Sequence, residues 1–197
     1  MCVMGLFNKF IPLNKERKCE MFTENNNKLY SCCFFGHRKI TETDNLKKLI
    51  YTTVKHLIVN RNVNTFLFGS KSDFDDLCHK IVTELKVIYP HIKRIYVRAE
   101  FPYIDDDYKE YLLKSYEFTY YPSKIIGAGK AAYIERNYEM IDNSNFCVVY
   151  YDETYKPPKR QYSRKQLTDY QPQSGTMLAY HYAAKKSVEI INVLNLI

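Results

Sequence analysis

Four short segments carry glycine, hydroxyl or charged side chains directly after apolar runs or at the start of a helix-like stretch. They are Gly36-His37-Arg38, Gly69-Ser70 with the following Phe74-Asp75, Asp152-Glu153, and Ser174-Gly175-Thr176. Glycine lets a backbone approach a ligand closely. Hydroxyls and the N–H groups of a helix N-terminus donate hydrogen bonds to anions. Together these residue types favour the binding of a phosphorylated ligand.

Individual side chains in and near these segments have more than one interpretation. Arg38 and Arg136 are suited to bidentate bonds with phosphate. Asp75 is a candidate for binding a ribose hydroxyl, and helix capping is its structural alternative. His37 is a weak candidate for a catalytic base, because a lone histidine beside an arginine more often serves as a hydrogen-bonding residue. Tyr133 is a candidate for stacking on a nucleobase.

Several familiar motifs are missing from the sequence. It contains neither the GxGxxG spacing of dinucleotide-binding loops nor a P-loop, which argues against hydride transfer and P-loop hydrolysis. The six cysteines are scattered and form no paired metal-binding pattern, so we interpret them as buried, reduced thiols. The sequence therefore predicts no metal site and no cofactor.

Strand-like and helix-like stretches alternate from residue 29 onward. Apolar runs predict strands over 29–35, 63–68, 92–97, 118–121, 146–151 and 188–193. Helical spacing predicts helices over 42–61 with Thr41 as N-cap, from Ser72 to the residues before Pro90, and over 108–115, 127–142 and 175–186. This alternation indicates an α/β fold, a Rossmann-like parallel sheet with helices on both faces. In such a sheet the strand ends, and thus the four segments, converge on one edge.

Composition and length indicate one domain. The chain has 197 residues, of which 46% are hydrophobic and 26% charged, which excludes a mainly disordered protein. We predict a single domain over 28–197, an N-terminal appendage or linker over 1–27, and a mobile loop over 154–173. The sequence has no apolar run long enough to cross a membrane and no signal peptide, so we expect a cytoplasmic protein without a membrane partner.

The formal net charge is +7, and a basic chain of this kind is a candidate for binding nucleic acid. The basic residues are nevertheless interleaved with acidic ones along most of the chain. One local cluster consists of Lys156, Lys159, Arg160, Arg164 and Lys165. We favour a solvated basic loop over a nucleic-acid interface.

Several of these segments resemble one family. The run from Cys32 to Arg38 resembles the opening strand and loop of the SLOG superfamily, which contains the DprA/Smf proteins and the LOG phosphoribohydrolases. Gly69-Ser70 followed by Phe74-Asp75 is similar to its second glycine loop. Glu135-Arg136-Asn137, the apolar run 146–151 and Gly175-Thr176 follow in the order of the LOG signatures. The resemblance covers about residues 29–197, and the stand-alone SLOG proteins of bacteria and their phages are the most similar members.

The resemblance implies a function and also a departure from it. LOG enzymes use an arginine and a glutamate on the N-glycosidic bond of a nucleoside monophosphate. Arg136 matches that arginine, whereas the glutamate position is Ala179, which cannot act as an acid or base. We therefore predict a sensor or sequestering module that binds a nucleotide or a nucleotide-derived ligand, such as a cyclic nucleotide or an ADP-ribose-like molecule.

Two alternatives stay open. The first is a LOG-type nucleotide N-glycosidase with Arg136 as a catalytic residue. The second is DprA-like binding of single-stranded nucleic acid. The resemblance also implies a homo-oligomer.

Overall fold

A computed structural model describes residues 30–69, 71–157 and 173–196. The predicted appendage 1–27, Ser70 and residues 158–172 of the predicted loop lie outside the described residues. Four of the five residues in the basic cluster also lie outside them.

The strands form one parallel sheet. They are β1 (Tyr30–Gly36), β2 (Val63–Phe68), β3 (Lys93–Val97), β4 (Phe118–Tyr120), β5 (Phe146–Tyr150) and β6 (Glu189–Asn192). Their order across the sheet is β4-β3-β2-β1-β5-β6, and every neighbouring pair is parallel. The prediction of a Rossmann-like α/β fold is therefore confirmed.

In the described part of the chain, five α-helices connect the strands: α1 (Asp44–Arg61), α2 (Asp73–Ile88), α3 (Asp106–Leu113), α4 (Ala132–Asp142) and α5 (Gly175–Ala184). The predicted N-cap Thr41 is wrong. Thr43 precedes the first helical residue, and its Oγ1 accepts a hydrogen bond from the N–H of Leu46 at 3.2 Å. Among the helices described, none is both long and apolar enough to cross a membrane.

The start of α4 also differs from the prediction, which placed a continuous helix over 127–142. Gly127 and Gly129 have φ angles of 84° and 56°, in the left-handed region that a right-handed helix excludes. A 3₁₀ turn over Gly129–Ala131 then leads into α4 at Ala132. The helix is thus shorter than its apolar spacing suggests.

Two apolar layers cover the sheet, one on each face. Along β1, Cys32 and Phe34 belong to the layer that includes α1 and α2, whereas Cys33 and Phe35 belong to the layer under α4 and α5. Side chains of a strand alternate between faces. Both faces of β1 are buried because helices cover both, which explains the continuous apolar run in the sequence.

The point where strand order reverses lies at β1. The chain moves from β1 outward through β2 to β4, then returns to add β5 and β6 on the other side of β1. The chain therefore leaves β1 and β5 toward opposite sides of the sheet, and the carboxyl ends of these two strands are where a sheet of this topology forms its ligand-binding crevice. Parallel α/β sheets bind ligands at such a position.

Candidate functional site

Three of the four predicted segments meet at the carboxyl ends of β1 and β5, and the fourth joins them where the N–H of Asp73 donates to the carbonyl of Arg38 at 3.0 Å. The carbonyl of Gly36, at the end of β1, accepts a hydrogen bond from Oγ1 of Thr176 at 2.8 Å. The N–H of Asp152, after β5, donates to Nε2 of the neighbouring His37 at 3.1 Å. The loop after β1 is therefore tied both to the start of α5 and to the loop after β5.

The N-terminus of α5 opens onto free space. Ser174 is its N-cap and accepts a hydrogen bond from the N–H of Met177 at 3.0 Å. The first two N–H groups, those of Gly175 and Thr176, have no partner within the helix. A Cβ atom placed on Gly175 would meet no atom of the described residues within 4 Å. The first turn contains no acidic residue, so the positive end of the helix dipole is not neutralised there.

The N-terminus of α2 has the opposite electrostatic character. Its first turn carries Asp73, Asp75 and Asp76, which already balance the positive end of the dipole. Ser72 caps it by accepting a hydrogen bond from the N–H of Asp75 at 3.1 Å. An anion is therefore better accommodated at α5 than at α2, although the sequence placed phosphate-binding residues at both.

Gly36 and Gly69 are required by protein packing rather than by a ligand. A Cβ atom on Gly36 would overlap the side chain of Phe74, and one on Gly69 would overlap the guanidinium of Arg136. Phe74 is fully buried, so in this conformation it has no surface with which to contact a ligand. The sequence indicated a close approach at both glycines, and the approaching groups belong to the protein itself.

His37 is held in one tautomer. Because the N–H of Asp152 donates to Nε2, the proton of the neutral imidazole resides on Nδ1. The side chain is 4% exposed, and Nδ1 has no hydrogen-bond partner in the described part of the chain. The ring of Tyr155 covers the imidazole, with 4.1 Å between ring centroids. His37 is thus a buried donor whose proton points at no described acceptor.

We expect the stability of the protein to fall below about pH 6.5 through His37. Burial lowers the pKa of His37 from its ordinary value of 6.5, and the charge of Asp152 opposes that shift in part. The unfolded chain therefore takes up the proton first, so the stabilisation is complete above pH 6.5 and is lost as the pH falls through the folded-state pKa. Protonation also puts a hydrogen on Nε2 that opposes the N–H of Asp152, at a cost of about 1–3 kcal/mol.

Urea denaturation at pH 7.5 and pH 5 measures this effect, with His37→Gln as the comparison. Glutamine offers an acceptor for the N–H of Asp152 but does not titrate in this range. The wild type should lose more unfolding free energy than the variant between the two pH values. An equal loss in both proteins would show that His37 is not the responsible group, and His79, whose pKa burial also lowers, would be the next to test.

Arg136 is a buried cation that joins the ends of β2 and β3. Its Nη1 donates to the carbonyls of Gly69 and, at 3.1 Å, Val97, and its Nε donates to Oδ1 of Asn137 at 2.9 Å. Burial lowers the pKa of Arg136, and the charge of Asp75 opposes that shift. No hydrogen bond to Nη2 occurs among the described residues. The guanidinium therefore mainly holds the ends of β2 and β3 together through Nη1.

The remaining predicted site residues differ in their exposure to solvent. Asp75 is 2% exposed and belongs to the interior, whereas Arg38 and Glu153 are exposed on the loops after β1 and β5. Oδ1 of Asp152 accepts hydrogen bonds from the N–H and Oγ1 of Thr154, at 2.8 and 2.7 Å. The ring of Tyr133 is 51% exposed beside the start of α4.

Sequence reasoning missed a polar cluster near Arg136. Glu100 lies three residues after β3. Its Oε1 forms an ion pair with Nζ of Lys71 at 3.0 Å and accepts a hydrogen bond from the hydroxyl of Tyr133 at 3.3 Å. The irregular pattern of residues 99–124 concealed Glu100. The sequence signal that could have found Glu100 was its position, because it follows the end of a predicted parallel strand, as three of the four chosen segments do.

The position of the missing glutamate, Ala179, is fully buried. It lies in the apolar layer between the sheet and α5, together with Cys33 and Val149. That position therefore faces the core rather than the crevice. Among the described residues, no carboxylate reaches the site from this turn of α5.

Comparison with known proteins agrees with this geometry. The family model described as the YspA SLOG family (YpsA) matches residues 27–183, which is most of the chain and includes every predicted site residue. No curated protein matches the chain. This match over most of the chain shows that the chain belongs to the YspA SLOG family.

Proposed function

We propose that the protein binds a nucleotide or a nucleotide-derived ligand and that a phosphate of this ligand occupies the N-terminus of α5. The observation that carries the proposal is the open space over Gly175, at an unneutralised helix end beside the crevice. Free N–H groups and a positive dipole end favour a phosphate at such a position. Membership of the SLOG family, which includes nucleotide-binding members, supports the same class of ligand.

His37 provides a second, independent support. It is buried beside the same crevice, and its Nδ1–H lacks an acceptor among the described residues. A buried donor without a partner costs about 1–3 kcal/mol. A ligand oxygen that reached Nδ1 would satisfy that donor, so binding would recover part of the cost.

The width of the edge suits a nucleotide. The strands β1 and β3 are separated by β2, so their ends lie two inter-strand spacings apart, about 10 Å. This distance is comparable to the length of a nucleoside monophosphate. A phosphate at α5 beside β1 would therefore place the nucleoside toward Tyr133, whose aromatic ring is exposed.

We further propose that the site binds without cleaving. The catalytic glutamate position of the LOG enzymes is the buried Ala179, and two of the three guanidinium nitrogens of Arg136 are engaged by the protein. A sensor or a sequestering module requires the phosphate site alone. The specific observation that favours the N-glycosidase alternative is the ionised Glu100 near Arg136, a carboxylate from a different segment.

Incubation of the purified protein with nucleoside monophosphates, cyclic nucleotides and ADP-ribose, followed by mass spectrometry of the bound and free fractions, tests the proposal. We expect at least one intact nucleotide to be retained, with a dissociation constant in the micromolar range or below. Release of free base by the wild type, abolished in Glu100→Gln, would establish the enzyme instead. Retention of no member of the panel would overturn nucleotide binding.

A further inference from the structure

A polar cluster lies where β2 and β3 end, on the side of the edge away from α5. We call Lys71, Glu100 and Tyr133 the Glu100 cluster. Lys71 follows β2, Glu100 follows β3, and Tyr133 lies in the first turn of α4, so three separate segments converge on one carboxylate. The proposed phosphate site at α5 uses none of these side chains.

The carboxylate of Glu100 is oriented but not saturated. Nζ of Lys71 and the hydroxyl of Tyr133 both contact Oε1. The backbone N–H of Glu100 also donates to this carboxylate, no other described side chain is hydrogen-bonded to Oε2, and the side chain is 17% exposed. Burial alone would raise the pKa of Glu100, but the hydrogen bond and charge of Lys71 hold it below its ordinary value of 4.5. Glu100 thus presents a fixed, ionised acceptor to solvent.

The chemistry of this acceptor suits a sugar hydroxyl. In dinucleotide-binding sheets an acidic residue at the strand ends accepts hydrogen bonds from a ribose hydroxyl. Asp75, which the sequence suggested for that role, is 2% exposed and so cannot reach a ligand in this conformation. Glu100 is also an acidic residue after a strand end, and its side chain is partly exposed, so it can accept a hydrogen bond from a ribose hydroxyl. The half-exposed ring of Tyr133 beside it offers a face for a base.

We propose that Oε2 of Glu100 accepts hydrogen bonds from free hydroxyls of the ligand sugar, so that the site selects ribonucleotides over 2′-deoxyribonucleotides. This inference rests on the proposed function, because the phosphate at α5 sets the position of the sugar. The separation of about 10 Å between the ends of β1 and β3 allows one ligand to span both groups. Loss of a hydroxyl would leave a desolvated carboxylate without its partner.

Isothermal titration calorimetry tests this selectivity with defined probes. The probes are the four ribonucleoside 5′-monophosphates and their four 2′-deoxy counterparts. For the bases that bind, we expect the wild type to favour the ribose form by about tenfold or more. In Glu100→Gln, which keeps the shape and loses the charge, the ratio should fall to about threefold or less, while affinity for the deoxy form stays unchanged.

Lys71→Met is the matched control. It removes the ion pair and leaves the carboxylate, which the hydroxyl of Tyr133 still contacts. The proposal requires this variant to retain most of the ribose preference. An equal loss in both variants would overturn the proposal, because the ion pair rather than the free oxygen would then be responsible.

Other outcomes separate this inference from the proposed function. Nucleotide binding by the wild type without a ribose preference would overturn the role of Glu100 and leave the phosphate site standing. A preference that changes with the base rather than the sugar in Glu100→Gln would assign the carboxylate to the base and also overturn the inference. Binding of none of the eight probes would overturn the inference and contradict the proposed function for monophosphates.

Discussion

Replacement of Gly175 by aspartate is expected to leave the protein folded and to weaken nucleotide binding by about a hundredfold or more. A side chain at this position creates no clash with the described residues. A carboxylate in the first turn of α5 would stabilise the helix by about 0.3–1 kcal/mol, because it neutralises the positive end of the dipole. The same charge would occupy the phosphate site and repel the ligand.

Gly175→Asn is the control for shape. Asparagine has nearly the same volume as aspartate but carries no charge, so it separates steric exclusion from electrostatic repulsion. We expect the neutral variant to lose less affinity than the charged one, and thermal denaturation to show that both are at least as stable as the wild type. Calorimetry with the nucleotide retained in the panel measures the affinities.

The result would be decisive in either direction. Unchanged binding in Gly175→Asp would show that no phosphate lies at α5, and the proposed site would have to move elsewhere along the edge. A large loss of stability in the same variant would contradict the open space over Gly175. A stable protein with a selective loss of anion binding is the combination that the geometry of α5 requires.

The fold could be predicted from the sequence because its strands are buried on both faces. Each continuous apolar run, such as 63–68, is a strand between two helical layers, and such runs have few alternative interpretations. Helix ends were less predictable. Thr41 and Thr43 are equally good capping residues by type, and the structure distinguishes them through the hydrogen bond with Leu46.

The candidate site could be predicted in position but not in detail. The sequence placed glycines at the strand ends correctly, yet it could not show that Phe74 and Arg136 fill the space beside Gly36 and Gly69. Those contacts join residues far apart in the chain, and no local pattern encodes them. Glu100 was missed for the same reason, because its partners come from other segments.

Some predictions stay untested. Homo-oligomerisation and a cytoplasmic location stay predictions, since no contact among the described residues bears on either. The basic cluster that motivated a nucleic-acid interface lies mostly outside the described residues.

Loss of the Arg136 side chain is expected to reduce the free energy of unfolding by about 2–4 kcal/mol. Its Nη1 donates to the carbonyls of Gly69 and Val97, at the adjacent ends of β2 and β3. In Arg136→Met both carbonyls lose this donor in a buried environment, whereas the aliphatic part of the side chain is retained. Urea denaturation measures the change, and the melting temperature should fall by roughly 5–15 °C.

Two further variants distinguish a structural tie from a general loss of packing. Arg136→Lys keeps a cation that can donate to a carbonyl but loses the planar fork, so we expect its stability to lie between that of the Arg136→Met variant and that of the wild type. Asn137→Ala removes the acceptor of Nε and should cost about 1 kcal/mol, the value of one hydrogen bond. A fully stable Arg136→Met protein would contradict the structural role.

The stability of these variants bears directly on function. An arginine that acts on a glycosidic bond must direct its donors to the substrate, whereas Arg136 directs two of its three nitrogens to protein atoms. If Arg136→Lys stays folded, retains nucleotide and releases no base, then the arginine that resembles a catalytic residue serves here to close the edge of the sheet.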